Sequence, residues 1–240
     1  MMPNTKKRYN RILLKLSGET LGGKWEHGLD VKAAEYIAGE VSEAHRVSGG
    51  LAIVIGGGNF IRGATVAPLG IDRATADYMG MLGTVINALA LQSVLERHGL
   101  DTRAMTALSM MEVAEPFIRR RAIRHLEKGR VVIFAGGTGS PYFSTDTAAA
   151  LRASEIGADV ILKGTNVAGV YAGDPKKDKN AKLFSAITPT EIVEAGLRVM
   201  DLTAVTLSME NKIPVIVFDV FKKGNLARIV KGENIGTVIQ

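Results

Sequence analysis

The sequence contains no cysteine, which excludes disulfides, thiolate nucleophiles and cysteine-ligated zinc. Its four histidines form no H-E-x-x-H or related pattern, so hydrolytic metal chemistry is not indicated either. We therefore expect no metal site built from side chains alone.

The chain also lacks an uninterrupted apolar run of the kind that crosses a membrane. Its most apolar stretch, residues 79–91, is interrupted by glycine and polar residues and is shorter than the roughly 18 residues that a span requires. The basic start of the chain leads into only five mostly apolar residues, too few for a signal peptide. We expect a cytoplasmic protein with no membrane anchor.

Acidic residues are fewer than basic ones: the chain has 24 Asp and Glu against 30 Lys and Arg, which gives a net charge of +6. This excess favours either a nucleic-acid surface or an enzyme that handles polyanionic small molecules. Aromatic residues, which usually accompany basic residues in nucleic-acid binders, make up only 5% of the chain. The one arginine cluster, at Arg119, Arg120, Arg121 and Arg124, is better explained as a solvated helix face, so nucleic acid is not an expected partner.

Short apolar runs, each followed by a glycine-bearing loop and a helical pattern, predict an α/β fold. The predicted strands are residues 12–16, 51–55, 102–105, 131–135, 160–162 and 214–218. Because apolar and polar residues alternate little within these runs, we expect each strand to be buried on both faces, as in a mostly parallel sheet between layers of helices. Without a repeat or long linker, residues 1–240 are expected to form one domain, with 172–182 as an exposed loop.

Two helices follow from the pattern. Asp30 is expected to cap a helix whose apolar face is Val31, Ala34, Ile37, Ala38 and Val41. The next helix, residues 73–97, is apolar nearly all round, which predicts deep burial or a subunit interface. Gly80 and Gly83 inside it cost about 1 kcal/mol each relative to alanine, which we attribute to close helix approach.

Residues 18–24 read G-x-x-x-x-G-K and copy most of a nucleoside-triphosphate P-loop. Trp25 follows where magnesium coordination requires Ser or Thr, and no apolar helix begins there. No G-x-G-x-x-G follows a predicted strand. A P-loop enzyme and a dinucleotide-dependent dehydrogenase are therefore both disfavoured.

Four polar or glycine-rich loops instead follow predicted strands, where open α/β sheets bind ligands. The first, residues 15–19, begins with Lys15, which is either a phosphate ligand or a strand lysine reaching for solvent. The second, residues 56–63, has three glycines whose N–H groups could converge on an anion. A flexible connector would explain those glycines but not Arg62, which suits bidentate phosphate binding.

The third and fourth loops carry an acid and a second lysine. The third, residues 136–146, leads into an alanine-rich helix at 147–156, with Thr145 or Asp146 as the expected N-cap. A helix N-terminus favours phosphate, and Asp146 could orient neighbouring lysines. The fourth, residues 163–166, begins with Lys163 and is followed by Tyr171 and Asp174, which suit a base and a ribose.

Two strand-end lysines among exposed backbone amides favour phosphoryl transfer, a reaction that needs positioning and positive charge more than covalent help. A unit charge pair at 4 Å is worth about 4 kcal/mol at an effective dielectric near 20. Mg²⁺ is expected as the cofactor that bridges the nucleotide phosphates.

These loops, in this order and spacing, resemble the amino-acid-kinase family, and within it the bacterial uridylate kinases. The strings that carry the resemblance are Leu14-Lys15-Leu16-Ser17-Gly18-Glu19, Gly56-Gly57-Gly58-Asn59, Gly137-Thr138-Gly139, Ser144-Thr145-Asp146, Lys163-Gly164-Thr165-Asn166, Val199-Met200-Asp201 and Gly236-Thr237. The similarity covers essentially the whole chain. It implies the amino-acid-kinase fold, a three-layer αβα sandwich, and transfer of the γ-phosphoryl group of ATP to UMP.

The resemblance also implies roles for individual residues. The catalytic residues would be Lys15, Arg62, Asp146, Lys163 and Asp201. ATP would contact Lys15, Leu16, Ser17, Gly18, Gly58, Arg62, Thr165, Asn166, Tyr171 and Asp174. UMP would contact Gly57, Asp77, Thr138, Gly139, Ser140, Pro141, Tyr142, Phe143, Ser144 and Thr145. An allosteric site would use Arg103 and Arg130.

A homo-hexamer, activation by GTP, inhibition by UTP and a place in UTP and CTP biosynthesis are further implications of the resemblance. One residue departs from the pattern: Ala168 stands where family members often have Asp before Gly-Val-Tyr, which leaves the contacts to the ATP base open. Two alternatives also stay open. One is an amino-acid kinase that acts on a carboxylate or carbamate, and the other is a basic nucleic-acid-binding regulator that uses residues 119–124.

Overall fold

The computed structural model describes residues 9–25, 27–61, 69–173, 175, 177–178, 181–197 and 199–240. Within them, nine strands form one sheet: β1 (Arg11–Leu16), β2 (Gly50–Ile55), β3 (Thr102–Thr106), β4 (Glu115–Pro116), β5 (Val131–Ala135), β6 (Val160–Thr165), β7 (Ala186–Ile187), β8 (Val215–Asp219) and β9 (Thr237–Ile239). The helices described are α1 (Glu19–Gly22), α2 (Val31–His45), α3 (Arg73–Arg97), α4 (Arg119–Glu127), α5 (Thr145–Ile156), α6 (Pro189–Glu194), α7 (Leu202–Glu210) and α8 (Asn225–Val230).

The sheet runs in the order β4-β3-β5-β2-β1-β6-β8-β9-β7, and each described strand pairing is parallel except β8 with β9. The carboxyl ends of β1, β2, β5 and β6 therefore lie at one edge, because neighbouring parallel strands point the same way. The four loops expected to bind ligands all leave the sheet at this edge, as predicted.

Two hydrophobic cores lie on opposite faces of the sheet. Side chains of α2, α3 and α8 pack in one core, and side chains of α4, α5 and α7 pack in the other. Alternation along β1 assigns its residues to both cores, with Ile12, Leu14 and Leu16 on the α2 side and Leu13 on the α5 side. The predicted three-layer αβα sandwich around a mostly parallel sheet is confirmed.

The observed strands differ from the predicted ones mainly at their ends. β6 continues to Thr165, so Lys163, Gly164 and Thr165 belong to the strand rather than to the loop after it. β8 begins one residue later and ends at Asp219. The short strands β4, β7 and β9 were not predicted, because two or three residues are too few to show an alternation of apolar and polar residues.

The first turns of α5 and α2 each correct one prediction. Ser144, rather than Thr145 or Asp146, caps α5, and its hydroxyl accepts the N–H groups of Asp146 (3.0 Å) and Thr147 (3.2 Å). Asp30 caps α2 as predicted by accepting the N–H of Ala33 at 3.0 Å. Val31, however, is 71% exposed and does not belong to the buried face of that helix, which begins at Ala34.

Helix α3 has the predicted bounds, and Ala88, Leu91 and Leu95 on it are fully buried against the sheet. By length and composition it could cross a membrane, since its most apolar 18-residue window has a mean hydropathy of 1.4, but half of that window is buried in this fold. The apolar stretch is thus longer than residues 79–91, which were identified from the sequence. Its inner face belongs to the core.

The two glycines of α3 do not have the same explanation. A Cβ on Gly83 would lie 3.2 Å from the carbonyl oxygen of Gly57, so the close approach at Gly83 is to the glycine loop rather than to another helix. A Cβ on Gly80 would meet no atom of the described residues within 4 Å, so their packing does not require glycine there.

Candidate active site

Lys15 and Lys163 are brought together by strand register. β1 and β6 are parallel neighbours, and Lys15 is the register partner of Lys163. Each lysine follows a residue of the α5-side core, Leu13 or Ile161, by two positions, so both side chains point to that face. Both are nearly buried, with 9% and 8% of their surfaces exposed. Two cations therefore share one enclosed place at the carboxyl edge of the sheet.

The carboxylate of Asp146 bridges the two lysines and neutralises part of their charge. It lies in the first turn of α5, whose N-cap fixes the direction of the helix. Its Oδ1 lies 2.7 Å from Lys15 Nζ, and its Oδ2 lies 2.6 Å from Lys163 Nζ. Lys163 Nζ also donates to the carbonyl oxygen of Val199 at 2.6 Å. Both ammonium groups are thus fixed by the same carboxylate.

Burial and charge act in opposite directions on these groups. Burial disfavours the charged form of Asp146, but the charges and hydrogen bonds of Lys15 and Lys163 outweigh it and hold the pKa of the carboxyl below its usual range. Burial, helped by the charge of Lys15, lowers the pKa of Lys163 below that of an ordinary lysine, although Asp146 and Asp201 oppose the shift. The carboxylate is therefore ionised at neutral pH.

Asp201 connects α5 to α7 next to the lysines. It caps α7 by accepting the N–H of Ala204 at 2.9 Å, and the same Oδ1 accepts the hydroxyl of Thr147 at 2.8 Å. Its Oδ2 accepts the hydroxyl of Ser144. Val199, whose carbonyl oxygen accepts from Lys163, lies two residues before Asp201 in the chain. The negative charge of Asp201 favours the protonated form of Lys163.

A cavity of about 350 Å³ opens beside the two lysines. Its wall includes Lys15, Lys163, Ser17, Thr165 and Asn166, all predicted from the sequence, together with Glu19, Thr20, Gly23, Gly164 and Phe221. Lysines at one side and an aromatic ring at another suit a ligand that is both anionic and planar.

The glycine loop after β2 packs tightly against the loop after β1. A Cβ on Gly18 would lie 2.4 Å from Asn59 Oδ1 and 2.8 Å from the amide nitrogen of Gly58, so only glycine fits. A Cβ on Gly57 would lie 2.2 Å from the carbonyl oxygen of Gly80. The side chains of Asn59 and Asn87 exchange hydrogen bonds of 2.9 and 2.7 Å beneath this loop. Its main chain is therefore held rigidly beside the lysines.

The third loop follows β5 and lies over the N-terminal half of α3. Gly136, Gly137, Gly139 and Tyr142 all have positive φ, so the backbone turns repeatedly and presents main-chain groups. Asp77 accepts the N–H of Tyr142 at 2.7 Å and is paired with Arg73 at 2.9 Å. The hydroxyl of Thr138 accepts the N–H of Ser140 at 3.2 Å. Of the residues predicted for UMP, Asp77 thus contacts the third loop through Tyr142 and already has two partners.

Several predicted residues are placed differently or lie outside the described part of the chain. Arg62 and Asp174 are outside the described residues. Leu16 is fully buried in the core, so only its main chain could meet a ligand. Tyr171 pairs with Leu183 in an isolated bridge and is not part of the cavity wall.

Phe221 was missed by the sequence reading. It follows β8, lines the cavity and stacks on Tyr36 with ring centroids 6.3 Å apart. The hydroxyl of Tyr36 donates to the carbonyl oxygen of Val220 at 3.2 Å. Burial, together with Glu40 and Asp219, raises the pKa of Tyr36 to about 12, so this donor stays protonated. The one sequence feature that could have identified Phe221 is its position just after a predicted strand.

Arg103 and Arg130 meet at the opposite end of the sheet. Both pair with Asp101, at 2.5 and 2.6 Å, and Arg130 also lies 3.1 Å from His125 Nδ1. Glu115 contacts Arg103 at 3.8 Å and His125 at 3.1 Å. The two arginines predicted to form an allosteric site are therefore neighbours in a charged cluster on the β3–β5 side.

The chain is similar to known kinases in both sequence and structure. Residues 10–219 match the amino acid kinase family. The UMP kinase of Bacillus anthracis is 39% identical, with a TM-score of 0.95 over 98% of this chain and 97% of that one. The UMP kinase of Ureaplasma parvum is 35% identical, with a TM-score of 0.91 over 98% and 100% of the two chains. The uridylate kinase of Archaeoglobus fulgidus is 30% identical, with a TM-score of 0.75 over 96% and 100%.

The matched residues contain both lysines, the bridging Asp146, Asp201 and the glycine loops around them. These are the parts of the molecule that the fold gathers at the carboxyl edge of its sheet. The chain belongs to the amino acid kinase family.

Proposed function

We propose that the protein is a uridylate kinase, which transfers the γ-phosphoryl group of ATP to the phosphate of UMP and releases UDP and ADP. The observation that carries the proposal is the Lys15–Asp146–Lys163 arrangement at the edge of the glycine loops. Similarity to three UMP or uridylate kinases over nearly their whole length supports the choice of UMP as acceptor.

On the donor side, ATP would occupy the cavity beside the lysines. Its phosphates would meet Lys15, Lys163 and Ser17, and its base would extend toward Phe221. The transferring oxygens gain negative charge that ammonium groups in a dry site stabilise strongly. Asp146 would keep both ammonium groups aimed at the same place, since each is bonded to one of its oxygens.

On the acceptor side, UMP would lie between the glycine loop at Gly57 and the third loop, residues 138–145. Asp77 would offer a carboxylate to a ribose hydroxyl, for which it would have to exchange its bond with the N–H of Tyr142. In-line phosphoryl transfer needs the attacking and leaving oxygens on opposite sides of the transferring phosphorus. The third loop continues through Ser144 and Thr145 into α5, where Asp146 contacts both lysines.

The donor groups present fit Mg²⁺ that is carried in on the nucleotide. Among the described residues, no group of three or more His, Asp or Glu side chains could hold a metal ion. Mg²⁺ commonly takes one or two carboxylates together with substrate phosphates, and Glu19 supplies a carboxylate in the cavity wall. When bound, the ion would neutralise part of the charge on the ATP phosphates.

The proposal extends to assembly and regulation. Tyr78, Leu82 and Ile86 form an exposed apolar stripe on α3, which would bind a second copy within a homo-oligomer, a hexamer by family resemblance. The charged cluster at Arg103 and Arg130 would bind a regulatory nucleotide, GTP as activator or UTP as inhibitor. The enzyme would act in the cytoplasm and supply UDP for UTP and CTP synthesis.

A coupled assay of ADP release tests the proposal. Purified protein with ATP and Mg²⁺ is offered UMP, CMP, AMP, acetylglutamate and carbamate in turn. We expect turnover with UMP well above that with the other acceptors. Turnover only with acetylglutamate or carbamate would place the protein with the kinases of small carboxylates and carbamates, and no turnover with any of them would reject the enzyme assignment.

A further inference from the structure

One buried hydroxyl joins helix α3 to the start of the third loop. Thr84 is 5% exposed and lies two helical turns after Asp77 on α3. Its Oγ1 donates to the carbonyl oxygen of Met81 at 2.6 Å and accepts the N–H of Gly136 at 2.7 Å. A carbonyl can only accept and an N–H can only donate, so the direction of both bonds is fixed.

Gly136 is the residue at which the chain leaves β5 and turns. Its φ is +74°, and a Cβ there would lie 2.8 Å from Thr106 Oγ1, so the position admits only glycine. The next turn is closed by a bond of 2.9 Å from the N–H of Gly139 to the carbonyl oxygen of Gly136. The direction of the whole loop therefore depends on how Gly136 is oriented.

The same helix fixes the far end of that loop and the glycine loop as well. Asp77 holds the N–H of Tyr142 at 2.7 Å, and Asn87 donates to the carbonyl oxygen of Gly56 at 2.7 Å. Asp77, Thr84 and Asn87 thus contact three points of two loops from one helix. Of these three bonds, the one to Gly136 acts where the third loop begins.

We propose that Thr84 is a positioning residue for the acceptor nucleotide, which acts by fixing Gly136 and hence the loop that receives UMP. The inference rests on the proposed function, because it concerns the acceptor half of that site. Among the described residues, the hydroxyl of Thr84 bonds to neither lysine and Thr84 is not in the wall of the donor cavity, so its effect is expected on the acceptor.

Two substitutions separate the hydroxyl from the shape of the side chain. Thr84→Val keeps the branched shape and removes both hydrogen bonds, whereas Thr84→Ser keeps the hydroxyl. Thr206→Val is the matched control, since the hydroxyl of Thr206 also bonds to a carbonyl of its own helix, Leu202 at 2.9 Å. Thr206 is exposed, and within the described part of the chain its hydroxyl bonds to no loop. The steady-state KM for UMP and for ATP is measured for each variant, together with thermal unfolding.

We expect Thr84→Val to raise the KM for UMP about tenfold, the factor that one buried hydrogen bond commonly carries, while the KM for ATP changes less than about twofold. Thr84→Ser should restore the wild-type KM for UMP, and Thr206→Val should leave both constants unchanged. Hydrogen exchange at the Gly136 amide should be slow in the wild type and in Thr84→Ser, and fast in Thr84→Val. If Thr84→Val does not fold, Thr84→Ala against Thr84→Ser gives the same comparison, because they differ by one oxygen atom.

Equal changes in both KM values, a wild-type KM for UMP in Thr84→Val, or failure of Thr84→Ser to restore it would each overturn the inference. A wild-type protein that turns over a different acceptor would instead overturn the proposed substrate. The same comparison with that acceptor then decides the role of Thr84.

Discussion

Lys15 and Lys163 are register partners on neighbouring parallel strands, and their ammonium groups contact the two oxygens of one carboxylate, that of Asp146. Two like charges so close would repel in a buried site if nothing lay between them. The carboxylate of Asp146 therefore allows two cations to lie close together in a nearly buried position.

Replacement of Lys15 by alanine removes one of the two charges beside the cavity. We expect Lys15→Ala to lower kcat about 10²-fold or more, as losses of preorganised charge commonly do. Lys32→Ala, which removes an exposed lysine of α2, is the control and should keep the wild-type rate. A near-normal kcat in Lys15→Ala would remove Lys15 from the mechanism.

Because the pKa of Lys163 is lowered, we expect activity to be lost at a lower pH than the pKa of an ordinary lysine would give. As pH rises through that pKa, the ammonium loses its proton and the site loses a charge. The value of kcat/KM should therefore begin to fall at a pH below the ordinary lysine pKa of about 10.4. In Lys163→Arg the guanidinium stays charged, so the alkaline fall should move to higher pH even if the maximum rate is lower. Profiles of kcat/KM against pH test this, and an unchanged alkaline fall in Lys163→Arg would contradict it.

Asp146 should contribute stability that disappears in acid. Its folded pKa is below the unfolded value of about 3.9, so the stabilisation is complete above that value and is lost as pH falls through the folded pKa. Asp146→Asn leaves two nearly buried lysines without their carboxylate and should lower the free energy of unfolding at neutral pH by about 3 kcal/mol. Urea unfolding across pH checks this, and a difference between the two proteins that does not shrink toward low pH would refute it.

The glycine loop should tolerate no side chain at Gly57. An added Cβ would lie 2.2 Å from the carbonyl oxygen of Gly80, so Gly57→Ala should push the loop from α3 and lower the free energy of unfolding by about 2 kcal/mol. Gly39→Ala is the matched control inside α2, where a Cβ meets nothing within 4 Å. It should stabilise the protein by about 0.5–1 kcal/mol through helix propensity. Chemical unfolding of both variants measures the contrast, and equal effects would exclude the steric explanation.

The stripe on α3 should hold copies of the chain together. Tyr78, Leu82 and Ile86 are spaced by four residues and are 44%, 49% and 46% exposed. A charge in the stripe, as in Leu82→Glu, should dissociate the assembly, which light scattering after size-exclusion chromatography detects as a smaller mass. Val31→Glu changes an exposed apolar residue on α2 and should leave the mass unchanged. An unchanged mass in Leu82→Glu would assign the interface elsewhere.

The local pattern was enough for the architecture and for the main charges of the candidate site. Continuous apolar runs identified the central strands, and the lysines near the carboxyl ends of β1 and β6 stood out because charged residues are rarely buried without a partner. Asp30 was recognised as a cap from its place before a helical period. These features depend on neighbours within a few residues, which the sequence displays directly.

Contacts between distant segments were decided by the tertiary structure alone. Nothing in the sequence pairs Thr84 with Gly136, Asp77 with Tyr142, or Phe221 with Tyr36, because each pair joins elements that meet only after the sheet has formed. Ser144, which caps α5, also donates its hydroxyl to Asp201, 57 residues away. Which groups can carry charge and where the chain turns are local properties, so the order of residues was enough to predict them. Only the fold decided which of those groups share a site, since that depends on strand order and register.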